Sequence, residues 1–366
     1  MTAGTWYAGC ARRALAAPGL ADVDGAGVGV LASLLGHLDD AALVRWLNAL
    51  HGNTRAVGVF DLGRAGFVAG LTVAAQADRR LVRLAANTRQ GLSGWAREYR
   101  WEPDQLQWSD YDLIAGPAGV LLALTVGGRG TAEETGPLAR YLARLTAEVD
   151  LAGLRTGDNS AIDLGVGHGV PGVVLALVTA QRVLGPRPWL TAALRNCVAL
   201  LVGTAATDPR GMPVWGTSDR TESAKAWQTR QAWCYGAPGV AWALWEAGDA
   251  LDDPGAREVA LEAVVGLDRA WDPGTQLRGT TAEDLIGVCH GAAGVLAIAD
   301  AFAVHTGHPS AARLRTALTD WLGERREAVN ELAAANLTLL GAAGVFAVLL
   351  TAAGGCRAWL PLLGLR

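Results

Sequence analysis

A short unit, G-x-x-G followed by an apolar stretch, recurs six times along the 366-residue chain and constrains its fold more than any other feature. The copies start at Gly63 (GRAGFVAGL), Gly116 (GPAGVLLAL), Gly169 (GVPGVVLAL), Gly236 (GAPGVAWAL), Gly291 (GAAGVLAIA) and Gly341 (GAAGVFAVL). Successive starts lie 53, 53, 67, 55 and 50 residues apart, and a degenerate seventh copy, GAGVGVLASLL, begins at Gly25. Self-similarity at such periods marks an array in which each unit is one supersecondary element. It also accounts for 47 glycines, close to twice the usual frequency of about 7%.

The segments between the copies differ in character. Residues 39–49, 132–151, 189–201, 256–272 and 311–335 are rich in Ala, Leu, Arg and Glu, with apolar residues three and four apart, as at Leu138, Tyr141, Leu142 and Leu145. That spacing predicts amphipathic helices. The glycine units instead open helices that are apolar all round, which implies burial on every side. Alternation of the two kinds predicts an all-α protein: one domain over residues 1–366, an α/α toroid of about seven inner and seven outer helices. Inner helices are expected to open near residues 25, 63, 116, 169, 236, 291 and 341. Glycine suits these starts because it permits positive φ and close backbone approach where turns converge on one mouth.

Two uncharged or nearly uncharged runs, Leu337–Gly355 and Leu164–Gln181, reach the length of a membrane span. Lys/Arg clusters and aromatic belts do not flank them, so buried inner-ring helices explain them better. The first 30 residues lack a basic start, apolar core and cleavage site, so no signal peptide and a cytoplasmic location are expected. With 31 basic against 35 acidic residues the net charge is −4, and Lys225 is the one lysine; no basic footprint for nucleic acid exists. Five cysteines, an odd and sparse set, fit free thiols or metal ligands rather than a disulfide framework.

Aligned on their glycines, the units expose groups the architecture does not require. Cys234 stands in WCYGAPG, Cys289 and His290 in VCHGAAG, His168 in GHGVPG, and Asp112 in YDLIAGPAG. The other units carry Asp61-Leu62 and Leu339-Leu340 there. Two Cys and one His on adjacent repeats make a candidate three-ligand zinc set with one open position. The competing reading has the cysteines as small buried hydrophobes and the histidines as turn residues satisfied by backbone. The common register, within four positions of a repeat turn, weighs against it. A thiol bound at the open position of such a site would be a thiolate, still electron-rich enough to attack. His168 could then exchange a proton with the reacting group, Asp112 could orient a neighbour, and Arg230 could stabilise developing charge on an oxygen.

On these residues the chain resembles the lanthionine synthetase C family, the cyclases of lanthipeptide biosynthesis. The matching stretches are Asp112 with Gly116, GHG at Gly167–Gly169, RQAWCYG at Arg230–Gly236 and CHG at Cys289–Gly291, within a resemblance running from about Gly63 to Gly344. It implies an α/α toroid with zinc at one mouth, held by Cys234, Cys289 and His290. It implies a reaction in which a precursor-peptide cysteine thiolate adds to dehydroalanine or dehydrobutyrine, with His168 as general acid/base and Asp112 and Arg230 as active-site residues. Trp233 and Tyr235, beside a ligand, are expected to pack in the core. The segments 94–109, with three tryptophans, and 204–230, polar and interrupted by Pro and Gly, are the expected peptide-contact loops.

A chain without a dehydratase-sized extra domain would work as a stand-alone cyclase. A separate dehydratase and an exporter are then its expected partners, in a complex that could bring it to the membrane periphery. Two other readings share the residues: addition of glutathione or another small thiol to dehydroamino acids, and a non-catalytic peptide-binding scaffold. Protein prenyltransferases also combine an α/α toroid with zinc, but their ligand set includes a carboxylate, unlike Cys-Cys-His.

Overall fold

Each of the six complete glycine units begins a helix at its first glycine. In the computed structural model, which describes residues 3–17, 24–36, 38–51, 57–60, 63–98, 106–148, 150–155, 161–226 and 228–366, Gly63, Gly116, Gly169, Gly236, Gly291 and Gly341 are the N-cap residues of consecutive apolar helices. In chain order the structure runs α1 (Ala3–Ala16), inner α2 (Gly25–Leu35), outer α3 (Asp40–His51), inner α4 (Arg64–Ala77), outer α5 (Val82–Glu98), inner α6 (Pro117–Thr125) and outer α7 (Ala132–Leu145). It continues with inner α8 (Val170–Leu184), outer α9 (Pro188–Gly203), the two-residue strands β1 (Ala206–Thr207) and β2 (Pro213–Val214), short α10 (Ser223–Ala226), inner α11 (Ala237–Leu251) and outer α12 (Pro254–Ala270). Short α13 (Pro273–Gln276) and α14 (Ala282–Ile286) lead to inner α15 (Ala292–Thr306), outer α16 (Pro309–Glu324), α17 (Arg326–Ala335) and inner α18 (Ala342–Ala352).

The inner helices touch in sequence, α2 to α4, α6, α8, α11, α15 and α18, and α18 returns to α2, closing the ring. Outer helices pack against their inner neighbours, and α1 packs on α18, so the start of the chain supplies the seventh outer helix. The sequence pattern had not marked α1 or α5. The predicted outer segment 311–335 is two helices, broken at Arg325. No described helix is long and apolar enough to cross a membrane.

The second glycine of each unit answers a steric demand. A Cβ on Gly294 would run into the carbonyl oxygen of Val288, because the incoming turn folds back over the first turn of α15; Gly119, Gly172, Gly239 and Gly344 stand in the same relation to their own turns. Close approach, rather than positive φ, is the general reason. Among the six first glycines only Gly236 has a positive φ, of 87°.

The interior of the ring is filled from the far end of the chain. Beyond α18 the last residues fold into the ring, burying Trp359, Leu360, Leu362, Leu363 and Leu365. Indole Nε1 of Trp233 donates to Leu363 O (2.9 Å) and that of Trp242 to Gly364 O (3.0 Å), so two fully buried tryptophans keep their N–H satisfied. Two acids inside otherwise apolar inner helices are each neutralised twice. Glu246 meets Arg182 (2.6 Å) and Arg366 (2.9 Å), and Asp300 meets Arg315 (3.2 Å) and Arg357.

Candidate metal centre and its surroundings

The turns before the inner helices are stitched to one another around the mouth of the ring. Val59 N donates to Ile114 O, Leu113 N to Gly167 O, Val166 N to Cys234 O, Cys234 N to Cys289 O and Val288 N to Leu340 O, at 2.8–3.3 Å. Leu339 N ends the series on the buried Oδ2 of Asp24 (3.0 Å), whose Oδ1 caps α2. Each repeat turn therefore takes its height from the next, and the reactive residues that share a register in sequence share a level in space. Asp61 and Leu62 lie outside the described residues.

Cys234 ends its turn two residues before α11's N-cap, and Cys289 and His290 stand directly before that of α15. Their ligand atoms all lie within 4.8 Å of one another, and among the described residues no other His, Cys, Asp or Glu joins them. Adjacent residues reach one point because they sit in a turn rather than in the helix. Cys234 is buried, while Cys289 and His290 are partly exposed towards the mouth. The Cys289 thiol is held well below its usual range, chiefly by the hydrogen bond with Cys234 and then by His290; the same bond, with burial, pushes Cys234 up. Two soft thiolate-forming groups and an imidazole, one side open, match a three-ligand metal site. All five cysteines are free.

His168 and Asp112 come together from neighbouring turns, His168 Nδ1 lying 2.7 Å from Asp112 Oδ2. Asp112 is 2% exposed and its Oδ1 accepts from the N–H groups of Ala115 (2.8 Å) and Gly116 (2.7 Å). The hydrogen bond to Asp112 raises the pKa of His168 against the lowering effect of burial, and the charge of Cys289 acts in the same raising direction. The indole of Trp108 stacks on the imidazole, centroids 5.1 Å apart and planes 25° apart.

Arg230 stands at the same mouth, but its guanidinium is engaged. NH1 lies 3.3 Å from Oδ1 of Asp284, and that same oxygen is 3.8 Å from His290 Nδ1. The ring of Tyr235 packs against the core, as expected, while its hydroxyl donates to Asp163 Oδ2 (2.7 Å), whose Oδ1 accepts from Gly165 N (2.7 Å). Burial raises the pKa of Asp163 and, as the largest cause, that of Tyr235. Trp233 is fully buried, as expected. Asp284, Asp163 and the Trp108 stack were not identified from sequence. Asp284 lies five residues before Cys289 and Asp163 five before His168, outside the four-residue window of the glycine register.

The two expected peptide-contact loops are structured differently from the expectation. In 94–109, residues up to Glu98 belong to α5 and Trp108–Asp110 form a 3-10 turn; residues 99–105, with Trp101, lie outside the described residues. In 204–230, β1 and β2 pair antiparallel as a small flap, with Trp227 outside the described residues. The flap borders two clefts of about 880 and 760 Å³ that share Arg210 and Met212, and the second begins at Thr229 and Gln231, either side of Arg230.

No curated protein matches the chain. Among solved structures, a nisin cyclase is similar with a TM-score of 0.74 and 17% identity, covering 92% of this chain and 90% of that one. At that identity the likeness establishes the helical toroid. A model of the family described as "Lanthionine synthetase C-like protein" matches residues 35–354, from within α2 to just past α18. That span takes in all four chemistry-bearing turns, and the chain belongs to the lanthionine synthetase C-like family.

Proposed function

We propose that the chain, read as one toroid domain over residues 1–366, is a zinc-dependent lanthipeptide cyclase. The observation that carries this reading is the placement of two thiols and an imidazole within 4.8 Å of one another at the mouth that also holds the His168–Asp112 pair. The donor set fits zinc: Cys234, Cys289 and His290 would hold it, leaving one position open. Bound there, zinc would lower the pKa of an incoming cysteine thiol so that it reacts as thiolate at neutral pH.

The net reaction adds a peptide S–H across the Cα=Cβ bond of dehydroalanine or dehydrobutyrine. Sulfur bonds to Cβ, the thiol proton leaves, and Cα gains a proton, so nothing else is consumed. His168 is the group suited to deliver a proton to Cα. Asp112 keeps it in one tautomer, with Nδ1 carrying the hydrogen towards the carboxylate and Nε2 free to shuttle a proton. Arg230, anchored by Asp284, sets a fixed positive charge where negative charge grows on the carbonyl oxygen next to Cα. The flap cleft lined by Thr229 and Gln231 is the proposed path of the peptide. Dehydroamino acids arise by loss of water from Ser or Thr, so a dehydration step precedes this reaction.

The deciding experiment incubates the purified protein with a dehydrated precursor and counts remaining thiols by alkylation and mass spectrometry. Thiols should disappear without change of peptide mass. No loss relative to a no-enzyme control refutes the peptide substrate; mass gain from added glutathione would favour the small-thiol reading instead.

A further inference from the structure

Resting on the metal-centre reading above, we infer that Asp284 is a positioning residue that holds the ligand His290 from its outer side and couples it to Arg230. Its two carboxylate oxygens face different tasks. Oδ2 accepts from the Thr281 hydroxyl (2.8 Å), which pins the carboxylate at the start of α14, while Thr281 Oγ1 also caps the backbone N–H of Asp284 (3.1 Å). Oδ1 is turned to the mouth, 3.3 Å from Arg230 NH1 and 3.8 Å from His290 Nδ1. The preceding loop presses on the side chain: Gly279, at φ 135°, lies so close that a Cβ there would collide with the Asp284 carboxyl group. The carboxylate therefore has little freedom to swing away from His290.

The chemistry follows from the two unlike nitrogens of imidazole. A carboxylate facing one nitrogen draws the N–H to that side and leaves the other nitrogen as a lone-pair donor, which fixes the ring orientation and increases its basicity. Outer carboxylates of this kind commonly account for about 10–100-fold in metal affinity. Here Nδ1 lies 3.8 Å from Asp284, an electrostatic contact longer than a hydrogen bond, so Nε2 is the nitrogen that would hold a metal. Arg230 shares the same oxygen, which ties the orientation of the ligand to the position of the cation proposed to meet the substrate. Removal of Asp284 is then expected to loosen both at once.

The experiment compares the full-length wild type with D284N, D284E and T281A. Zinc stoichiometry is measured by elemental analysis, zinc affinity by competition with a chromophoric chelator, and ligand geometry by the visible spectrum of the Co²⁺-substituted proteins. The wild type should bind one zinc. D284N should bind it about 10–100-fold more weakly with altered Co²⁺ bands, D284E should recover most of the loss, and T281A, which unpins the carboxylate but keeps its charge, should lose clearly less than D284N. Wild type that binds no zinc would sink the metal-centre reading itself. Wild-type binding with D284N unchanged, with T281A as weak as D284N, or with ligation through Nδ1 in ¹⁵N-histidine spectra would overturn the role of Asp284 alone.

Discussion

Nδ1 of His168 and Oδ2 of Asp112 lie 2.7 Å apart across 56 residues of sequence, and the other carboxylate oxygen is held by two backbone N–H groups. The Asp112 side chain cannot rotate away without stranding those donors in a buried turn, a loss of about 1–3 kcal/mol. The imidazole is thus fixed on one side by a carboxylate and on its face by Trp108.

That pair predicts a pH dependence with a definite sign. Asp112 raises the pKa of His168, so the proton-donating form persists to higher pH than for a free imidazole. If His168 acts as the acid, ring closure falls as pH rises through that raised value. Asp112→Asn removes the charge, so the falling limb should move to lower pH by about one unit or more. An NMR titration of His168 alongside the rate profile checks this; a limb that does not move assigns the proton to another group.

Ligand and proton-transfer residues should separate cleanly. Cys289→Ala is expected to abolish zinc binding, whereas His168→Ala should keep the metal and slow ring closure by about 10²–10⁴-fold. Elemental analysis and single-turnover rates on the same preparations decide it. A metal-free wild type with full activity would end the zinc account.

Glycine-to-alanine substitutions should have opposite signs at two helical positions. In α5, a Cβ on exposed Gly91 meets open space, so Gly91→Ala should stabilise by about 0.5–1 kcal/mol. In α15, Gly294→Ala drives a Cβ into the Val288 carbonyl and should destabilise despite the better helix propensity, by about 1–3 kcal/mol. Denaturant midpoints of the two variants provide the comparison. Stabilisation by both would show that the turn over α15 yields freely.

Buried and exposed acids should differ as sharply. Glu246, 2% exposed, neutralises Arg182 and Arg366, and Glu246→Ala leaves two part-buried guanidinium groups without it. A loss of about 1–3 kcal/mol is expected, because the guanidinium groups left behind are partly solvated and Arg366 keeps Asp249, against about 0–1 kcal/mol for Glu133→Ala, whose partner Arg97 is on the surface. Equal shifts in thermal unfolding would contradict this ranking.

The ring was legible in the amino-acid order because its cause is local. Six of the seven inner helices meet the same steric problem, a turn folding over their first residues, and only glycine solves it, so the solution is written six times at one register. Cys234, Cys289, His290, His168 and Asp112 were legible for the same reason, as departures from that register. The roles of α1 as seventh outer helix and of the final residues as interior filling left no such mark, since both depend on where the closing ring brings distant ends of the chain. Tyr235 reads as a core aromatic, which its ring is, but the bond from its hydroxyl to Asp163 left no mark in the sequence, and neither did Asp284 beside Arg230. Those pairings join residues 54 and 72 apart. Spacing carries information about neighbours along a helix or within a repeat; which turn faces which across the mouth is set by packing of the whole ring, and only the folded chain decides it.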